Sequence, residues 1–551
     1  FSGVEFYLEI STLIWVLLFG HFLEAKSSAA AGDALEEVAK LLPRQAHLFK
    51  NGKIEDVDLS LLKEADLVLV KPGEKMPADG IIIKGKANID ESLISGESKP
   101  VEKKEGQEVV AGSICLDGSL EIKLNRVGEN SLIGQIQKLI GKAQETKPSA
   151  QKLADKVASY LTFTALTVAI ITILVWFLIL GKPLVFALTL AITVLVIACP
   201  HALGLAIPTV STIATTLAVK SGLFLKDLAK LEVVKDIDYI VLDKTGTLTK
   251  GEFGVVDIVN SKKQIVKKEI LQIAASLEQQ SSHFIGQSIV KFGKEQNVSL
   301  LAVTNFKNFS GRGVVGRIGG MDYWLGNETF AEEKSISLAG QELTSQGKTV
   351  ILLGNKKEIL GLLALSDKIR PESFRAVSDL HNLGIKVAML TGDNEQVGKA
   401  VAKELKIDNF FANVLPEDKY KHIKKLQDEG NRVMMVGDGV NDAPALTQAN
   451  VGVAVGAGTD VAVEAGDVVL TRNNPEDIVK LVILSKKVFR KMQQNLIWAT
   501  GYNLLAIPAA AGLFSPWGIF LRPEIGAILM SLSSVIVVIN AITLKKARLS
   551  S

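Results

Sequence analysis

Long apolar runs alternate with long mixed segments along this chain. Five stretches approach the length of a bilayer-spanning helix, at about residues 5–25, 157–180, 184–207, 493–513 and 525–543. No charged residue falls between Val157 and Leu180, and from Leu184 to Val219 only His201 could carry a charge. A globular core does not need several charge-free runs of this length, so the pattern predicts a bundle of transmembrane helices. The first stretch is the most interrupted, by Glu5, Glu9 and His21. The mixed segments, about 27–155 and 208–490, read differently. Short β-like runs such as Leu67-Val68-Leu69-Val70 and Gly80-Ile81-Ile82-Ile83 punctuate the first. In the second, the apolar runs 239–242, 386–390 and 433–436 each lead into a polar loop. Such strand-then-loop units predict a parallel α/β sheet whose loops gather at one edge.

Composition agrees with that division. The 551 residues are 48% hydrophobic with a mean hydropathy of +0.27, high for a soluble enzyme. A net charge of +3, with no basic cluster interleaved with aromatics, argues against a nucleic-acid partner. Cys115 and Cys199 lie in different segments and suggest no disulfide. Two spans separate the mixed segments, which places both on one side of the membrane. The tail Lys545-Lys546-Ala547-Arg548 ends on that side, and the positive-inside rule makes it the cytosol. Five spans would put the N-terminus outside, yet the chain begins with Phe1 and carries no signal peptide. It reads as a fragment whose upstream membrane helices are missing.

The chemistry centres on Asp243-Lys244-Thr245-Gly246-Thr247, directly after the run 239–242. A carboxylate at the C-terminal end of a buried strand can attack a phosphoryl group and carry it as an acyl phosphate. The glycine lets phosphate approach the backbone, and Lys244 and Thr245 stand beside it. Thr391-Gly392-Asp393 and Gly437-Asp438-Gly439-Val440-Asn441-Asp442 close the other two runs and should reach the same edge. Asp243, Thr245 and Asp438 are candidate ligands for Mg²⁺, a hard ion that prefers oxygen. Asp442 is a supporting carboxylate. Lys419 can neutralise phosphate charge, and Thr391 can donate a hydrogen bond to it.

In the membrane stretches, Cys199-Pro200-His201 interrupts an apolar helix. Proline removes a backbone hydrogen bond, and a thiol and an imidazole flank the opening. Tyr502 and Asn503 in the fourth stretch, and Met530 and Ser534 in the fifth, add polar or soft groups. The last four stretches contain no Asp or Glu in their interiors. Thiolate, thioether, imidazole and phenol suit a soft, singly charged ion, above all Cu⁺, with Ag⁺ similar. Histidine also admits Cu²⁺.

These motifs together resemble the heavy-metal-transporting P-type ATPases over nearly the whole chain. Cys-Pro-His, with Gly501-Tyr502-Asn503 and Met530-Ser531-Leu532-Ser533-Ser534, is similar to the copper-exporting B-type subclass. The resemblance implies a haloacid-dehalogenase-like phosphorylation domain (226–250 and 362–488) with an inserted α+β nucleotide-binding domain at 251–361. It also implies a β-rich actuator domain at 27–154 and a transmembrane helix bundle at 1–26, 155–225 and 489–551. Ser95-Gly96-Glu97-Ser98 resembles the family's Thr-Gly-Glu-Ser loop, which makes Glu97 the residue positioning the hydrolytic water. Glu278, His283, Gly311 and Gly313 fall where the family binds the ATP base, although Ser281-Ser282-His283-Phe284 departs from its Ser-Glu-His-Pro. The glycines imply close backbone approach to ATP. Glu24 and Asp155 match family positions at the cytosolic ion entrance. Implied partners are membrane lipid and a copper chaperone, with ATP and Mg²⁺ as cofactors. A zinc, cadmium or cobalt pump and a membrane-attached phosphatase are the alternatives.

Overall fold

The computed structural model describes residues 11–12, 14–15, 18–22, 25–26, 42–50, 53–91, 100–260, 265–281, 284–309, 312–332, 348–438, 442–456 and 464–549. The chain forms two compact units. One comprises Phe1–Asp236, Gly456–Arg472 and Asp477–Ser551, the other Ile237–Val455 and Asn473–Glu476.

Period-two alternation builds the β part of the first unit. In the strand Leu120–Arg126, Leu120, Ile122 and Leu124 are buried while their neighbours are more exposed. Six strands form an antiparallel sheet in the order Lys53–Asp58, Gln45–Lys50, Leu67–Val70, Leu120–Arg126, Asp79–Lys84, Glu108–Val109. Val101–Lys104, Lys86–Asp90 and Ile114–Cys115 form a smaller sheet, and Val68, Val70, Ile82, Ile89 and Ile122 share one core. Asp79 ties this sheet to the next helix. Its Oδ1 accepts from the Ala111 amide and its Oδ2 from the Leu132 amide, both at 2.8 Å. Leu132 begins the helix Leu132–Glu145. Burial nevertheless holds the Asp79 carboxyl above its usual range. The loop carrying Glu97 lies outside the described residues.

The apolar stretches form long helices. Ser149–Ile173 continues through a π-helical turn at Leu174–Ile179. Leu184–Ile197 and His201–Lys220 are two halves parted by Ala198, Cys199 and Pro200, and Glu476–Ala510 and Pro523–Ile542 follow. Ser149–Ile179, Leu184–Lys220 and Pro523–Lys546 are each long and apolar enough to cross a membrane. The helix after Pro200 runs to Lys220, so the second mixed segment begins later than residue 208. The stretch at 493–513 does not meet the same hydropathy, because Gln493, Gln494, Asn495 and Asn503 lie within its helix. Those polar residues are sorted by face. Leu504 and Leu505 are 74% and 76% exposed, whereas Asn495 and Asn503 are buried. An apolar outside around a polar inside is the arrangement lipid favours. The threonine hydroxyls bond back along the helices, Thr172 to the Val168 carbonyl and Thr193 to that of Thr189, both at 2.7 Å. Most of the stretch 5–25 lies outside the described residues.

The second unit holds a parallel sheet. Its strands run in the order Val451–Val455, Val433–Gly437, Tyr239–Asp243, Lys386–Leu390, Asn409–Phe411. The central strand Tyr239–Asp243 is wholly buried, which explains its unbroken apolar run. Into this sheet is inserted a six-stranded antiparallel one, ordered Thr249–Asn260, Ile359–Ile369, Thr349–Asn355, Met321–Gly326, Gly313–Ile318, Thr304–Phe309. Ile270, Ala274 and Leu277 of the helix Lys267–Glu278 and Ile289 of Phe284–Glu295 fill its core. Thr249 pairs with Ile369, so the inserted sheet extends beyond the boundaries 251 and 361 expected from the sequence.

Candidate functional site

Asp243 ends the central strand, so its carboxylate meets the loops leaving both neighbouring strands. The turn that follows bends at Gly246, whose φ of 79° suits glycine. Arg370 braces the turn, donating from Nε to the Thr249 carbonyl at 2.9 Å and from Nη2 to the Gly246 carbonyl at 3.4 Å.

Lys419 begins the helix Lys419–Asp428 and is buried. Its Nζ donates to Asp243 Oδ1 at 2.7 Å and to Asp442 Oδ1 at 2.6 Å. The other Asp442 oxygen accepts from the Asp438 amide at 3.2 Å. Gly437 leaves room for that carboxylate, since a Cβ there would lie 2.0 Å from Asp442 Oδ2. Burial raises the Asp243 carboxyl most, Asp442 adds to it and Lys419 opposes both, leaving it at about 6. Asp442 is raised as well, chiefly by burial. For Lys419, burial favours the neutral amine, but the charges of Asp243 and Asp442 outweigh it and hold the ammonium.

Asp438 also pushes the Asp243 carboxyl upward, so three carboxylates, Asp243, Asp438 and Asp442, stand at this edge against the Lys419 ammonium. Excess carboxylate charge fits a hard divalent cation. No three acidic, histidine or cysteine side chains among the described residues group closely enough to hold an ion alone. Mg²⁺ takes one or two carboxylates and completes its shell with water and substrate phosphate, so Asp243 and Asp438 are chemically adequate ligands. On the far side of Asp243, Lys244 Nζ lies 2.5 Å from Asp393 Oδ2. The Thr391 hydroxyl accepts from the Asp393 amide at 3.1 Å, and Gly392 between them is exposed.

A cavity of about 570 Å³ opens beside these residues, lined by Lys244, Thr245 and Asp393 together with Lys291, Phe292 and Lys368. A second hollow of about 540 Å³, lined by Glu278, shares Gln287, Lys291 and Glu295 with the first. The two hollows together run from Glu278 to Thr245, with Lys244, Lys291 and Lys368 along their walls. Lys291 and Lys368 were not foreseen. The one signal for Lys368 was the charged pair Asp367-Lys368 ending an apolar strand. His283 and Gly311 lie outside the described residues. Gly313 is also required by packing. It sits in a strand where a Cβ would be 2.3 Å from the Leu325 carbonyl, so the neighbouring strand requires the glycine.

In the first unit, Cys199 and His201 flank Pro200 at the helix break. Tyr502 packs on the apolar cluster that contains Ile197 and Ala198. The buried Tyr502 hydroxyl, Asn503 Oδ1 and Ser534 hydroxyl have no hydrogen-bond partner among the described residues. Each such group costs about 1–3 kcal/mol without a partner, so each calls for water or another polar ligand; Met530, on the helix of Ser534, is buried as well. Asn540 is accounted for otherwise. It donates to Asn495 Oδ1 at 2.8 Å and accepts from Lys491 at 2.7 Å, while Asn495 donates to the Ala206 carbonyl at 3.0 Å. Asp155 is exposed and paired with Lys147 at 3.2 Å, and Glu24 lies outside the described residues.

Comparison with known proteins agrees with both halves. A haloacid dehalogenase-like hydrolase model matches residues 237–450, and a P-type ATPase actuator domain model matches residues 40–141. The chain is 48% identical to copper-exporting P-type ATPase B of Archaeoglobus fulgidus, over 98% of this chain and 78% of that protein. It is 41% identical to copper-exporting P-type ATPase B of Enterococcus hirae, over 98% of this chain and 73% of that protein. A crystal structure of a zinc-transporting PIB-type ATPase in its E2.Pi state superposes with a TM-score of 0.63 at 31% identity. The match covers 97% of this chain and 87% of that one. Fold and site define an ATP-hydrolysing phosphoryl-transfer enzyme built into a membrane protein. The chain belongs to the P-type ATPase family, the ion pumps that carry an actuator, a phosphorylation and a nucleotide-binding domain on a membrane domain.

Proposed function

We propose that this P-type ATPase exports copper, as Cu⁺, from the cytosol across the cell membrane. The observation that carries the reading is the Cys199-Pro200-His201 break, set near Tyr502 in helices whose interiors lack carboxylates. Its relatives of 41 to 48% identity, named as copper exporters, support it. Cu⁺, brought by a chaperone, enters near Glu24 and Asp155 and is held by Cys199, His201, Tyr502, Asn503, Met530 and Ser534.

ATP lies with its base near Glu278, His283, Gly311 and Gly313 and its phosphates toward Lys244 and Thr245. An Asp243 oxygen attacks the γ-phosphorus, the bond to the bridging oxygen breaks, and ADP departs. Lys419 keeps the nucleophile ionised and, with Asp442, fixed in place. Thr391, Gly392 and Asp393 bound the space for the phosphoryl group. Mg²⁺, when bound to Asp243, Thr245 and Asp438, neutralises phosphate charge. Water positioned by Glu97 then attacks the phosphorus, the bond to the Asp243 oxygen breaks, and phosphate leaves. Ion release requires that loaded and empty states differ in their affinity for phosphorylation.

A zinc pump is the second reading, favoured by the zinc-transporting solved relatives at 30 to 31% identity. The test is acyl-phosphate formation from labelled ATP in the full-length protein with Cu⁺, Ag⁺, Cu²⁺ or Zn²⁺. Labelling that needs Cu⁺ or Ag⁺ and disappears in Asp243→Asn and Cys199→Ala is expected. Labelling driven by Zn²⁺, or surviving Cys199→Ala, overturns the cargo.

A further inference from the structure

We infer that Asn495 is a positioning residue of the transport site, acting through Ala206 on the placement of His201. The inference rests on the copper reading and adds to its ligands a residue that acts through another. Asn495 is 0% exposed, and both ends of its amide are used. Its Nδ2 donates to the Ala206 carbonyl at 3.0 Å, and its Oδ1 accepts from Asn540 Nδ2 at 2.8 Å. Asn540 Oδ1 accepts in turn from Lys491 Nζ at 2.7 Å. One chain of hydrogen bonds therefore joins the helices His201–Lys220, Glu476–Ala510 and Pro523–Ile542.

Those three helices carry His201, the pair Tyr502 and Asn503, and the pair Met530 and Ser534. At a rise of about 1.5 Å per residue, the tie lies about 7–8 Å along the first helix from His201. It lies about 10–12 Å along the second from Tyr502 and Asn503, and about 9 Å along the third from Ser534. Each offset runs toward the cytosolic end of its helix, so the tie forms a floor beneath the proposed ligands. The first helix is the one that needs bracing. Pro200 precedes it and Pro208 lies inside it. Proline has no N–H, so the Gly204 carbonyl loses its helical donor and the turns between the two prolines are weakly held. Ala206 lies in those turns, and its carbonyl receives Asn495. A leucine of similar volume at 495 would pack there with no polar atom to satisfy. The amide gives direction instead, because its bonds form in one register and one rotational setting of the helices. Burial of an amide in this helix does not by itself make a tie. Asn503 Nδ2 donates to the Ala499 carbonyl of its own helix at 2.9 Å.

The test uses the full-length protein in detergent and measures half-saturating Cu⁺ for acyl-phosphate formation beside the KM for ATP. Asn495→Leu should raise half-saturating Cu⁺ by about 10- to 100-fold, as loss of a residue that orients a ligand does, and leave the KM for ATP at its wild-type value. Asn495→Asp can still accept from Asn540 but, when ionised, cannot donate to Ala206, and should shift Cu⁺ in the same direction. Asn540→Leu leaves the Ala206 bond unbraced and should shift it less, which carries the test if the Asn495 variants do not elute as wild type. The double variant Asn495→Leu with Asn540→Leu should be no worse than Asn495→Leu alone, since both act through one bond. Fully additive shifts overturn the chain. A Cu⁺ shift matched by an equal change in the KM for ATP shows a general loss of packing and also overturns it. So does an unchanged half-saturation in Asn495→Leu while Cys199→Ala still abolishes labelling. If Cys199→Ala changes nothing either, the copper reading itself fails.

Discussion

Replacing Lys419 by methionine removes the one buried cation between two buried carboxylates and keeps its volume. Lys419 Nζ is 2.7 Å from Asp243 Oδ1, and the Asp243 carboxyl sits at about 6 with that ammonium in place. At an effective dielectric near 20, the attraction across 2.7 Å is about 6 kcal/mol, an upper bound of roughly four pKa units. Even half of it moves the acid limb of phosphorylation from about 6 to about 8. At pH 7 the ionised fraction of Asp243 then falls from about nine in ten to about one in ten. The assay is the initial rate of acyl-phosphate formation from labelled ATP between pH 5 and 9. Lys419→Met should show an acid midpoint about two units above that of wild type, losing rate at pH 7 and regaining much of it by pH 9. Any part due to the charge missing beside phosphate will not recover with pH, which separates the two roles. An acid limb that does not move from its wild-type position while the whole curve drops refutes the claim that Lys419 governs the nucleophile's charge.

The same variant makes a stability prediction of definite sign. Without Lys419, both carboxylates have folded-state pKa values well above their unfolded ones. Such groups leave the folded state most stable at low pH and progressively less so as pH rises through that interval. Removing one partner of a buried pair costs about 3–5 kcal/mol while the other remains charged. Lys419→Met should therefore melt well below wild type at pH 8, and the gap should narrow toward pH 5.5.

Three further predictions follow from contacts in the same structure. Gly437→Ala drives a Cβ into Asp442 Oδ2, displaces that carboxylate from Lys419, and should reduce phosphoenzyme formation by about 100-fold with little change in ATP binding. Asp79→Ala leaves the Ala111 and Leu132 amides without an acceptor. It should destabilise the β part of the first unit by about 2–5 kcal/mol, seen as faster hydrogen exchange at those two amides. Lys291→Ala and Lys368→Ala should each raise the KM for ATP by about tenfold, through loss of a charge-assisted phosphate contact. Both should leave half-saturating Cu⁺ unchanged.

What was legible in the sequence was what depends on neighbours along the chain. Three buried strands leading into polar loops were readable because a parallel sheet buries both faces and needs unbroken apolar runs. The helix break was readable because proline acts on its own backbone. Contacts closed through space were not readable. Nothing adjacent to Lys419 announces that its amine bonds Asp442, or that Gly437 is glycine because Asp442 occupies its side-chain space. Gly313 carries a constraint of the same kind, since the facing strand leaves no room there for a side chain and nothing next to it in sequence says so.

The fourth membrane stretch shows why hydropathy alone is a poor guide to a transport helix. An average over residues treats Asn495 and Asn503 as evidence against a span, although both are buried while Leu504 and Leu505 face outward. A helix that only anchors can be apolar all round. One that contributes to an ion path must carry polar groups on its inner face, and each of them lowers the average. The buried Asn495 and Asn503, and the buried oxygens of Tyr502 and Asn503 that have no hydrogen-bond partner among the described residues, all lie on this helix. On this reasoning the least apolar spans of such a pump are the ones nearest the cargo.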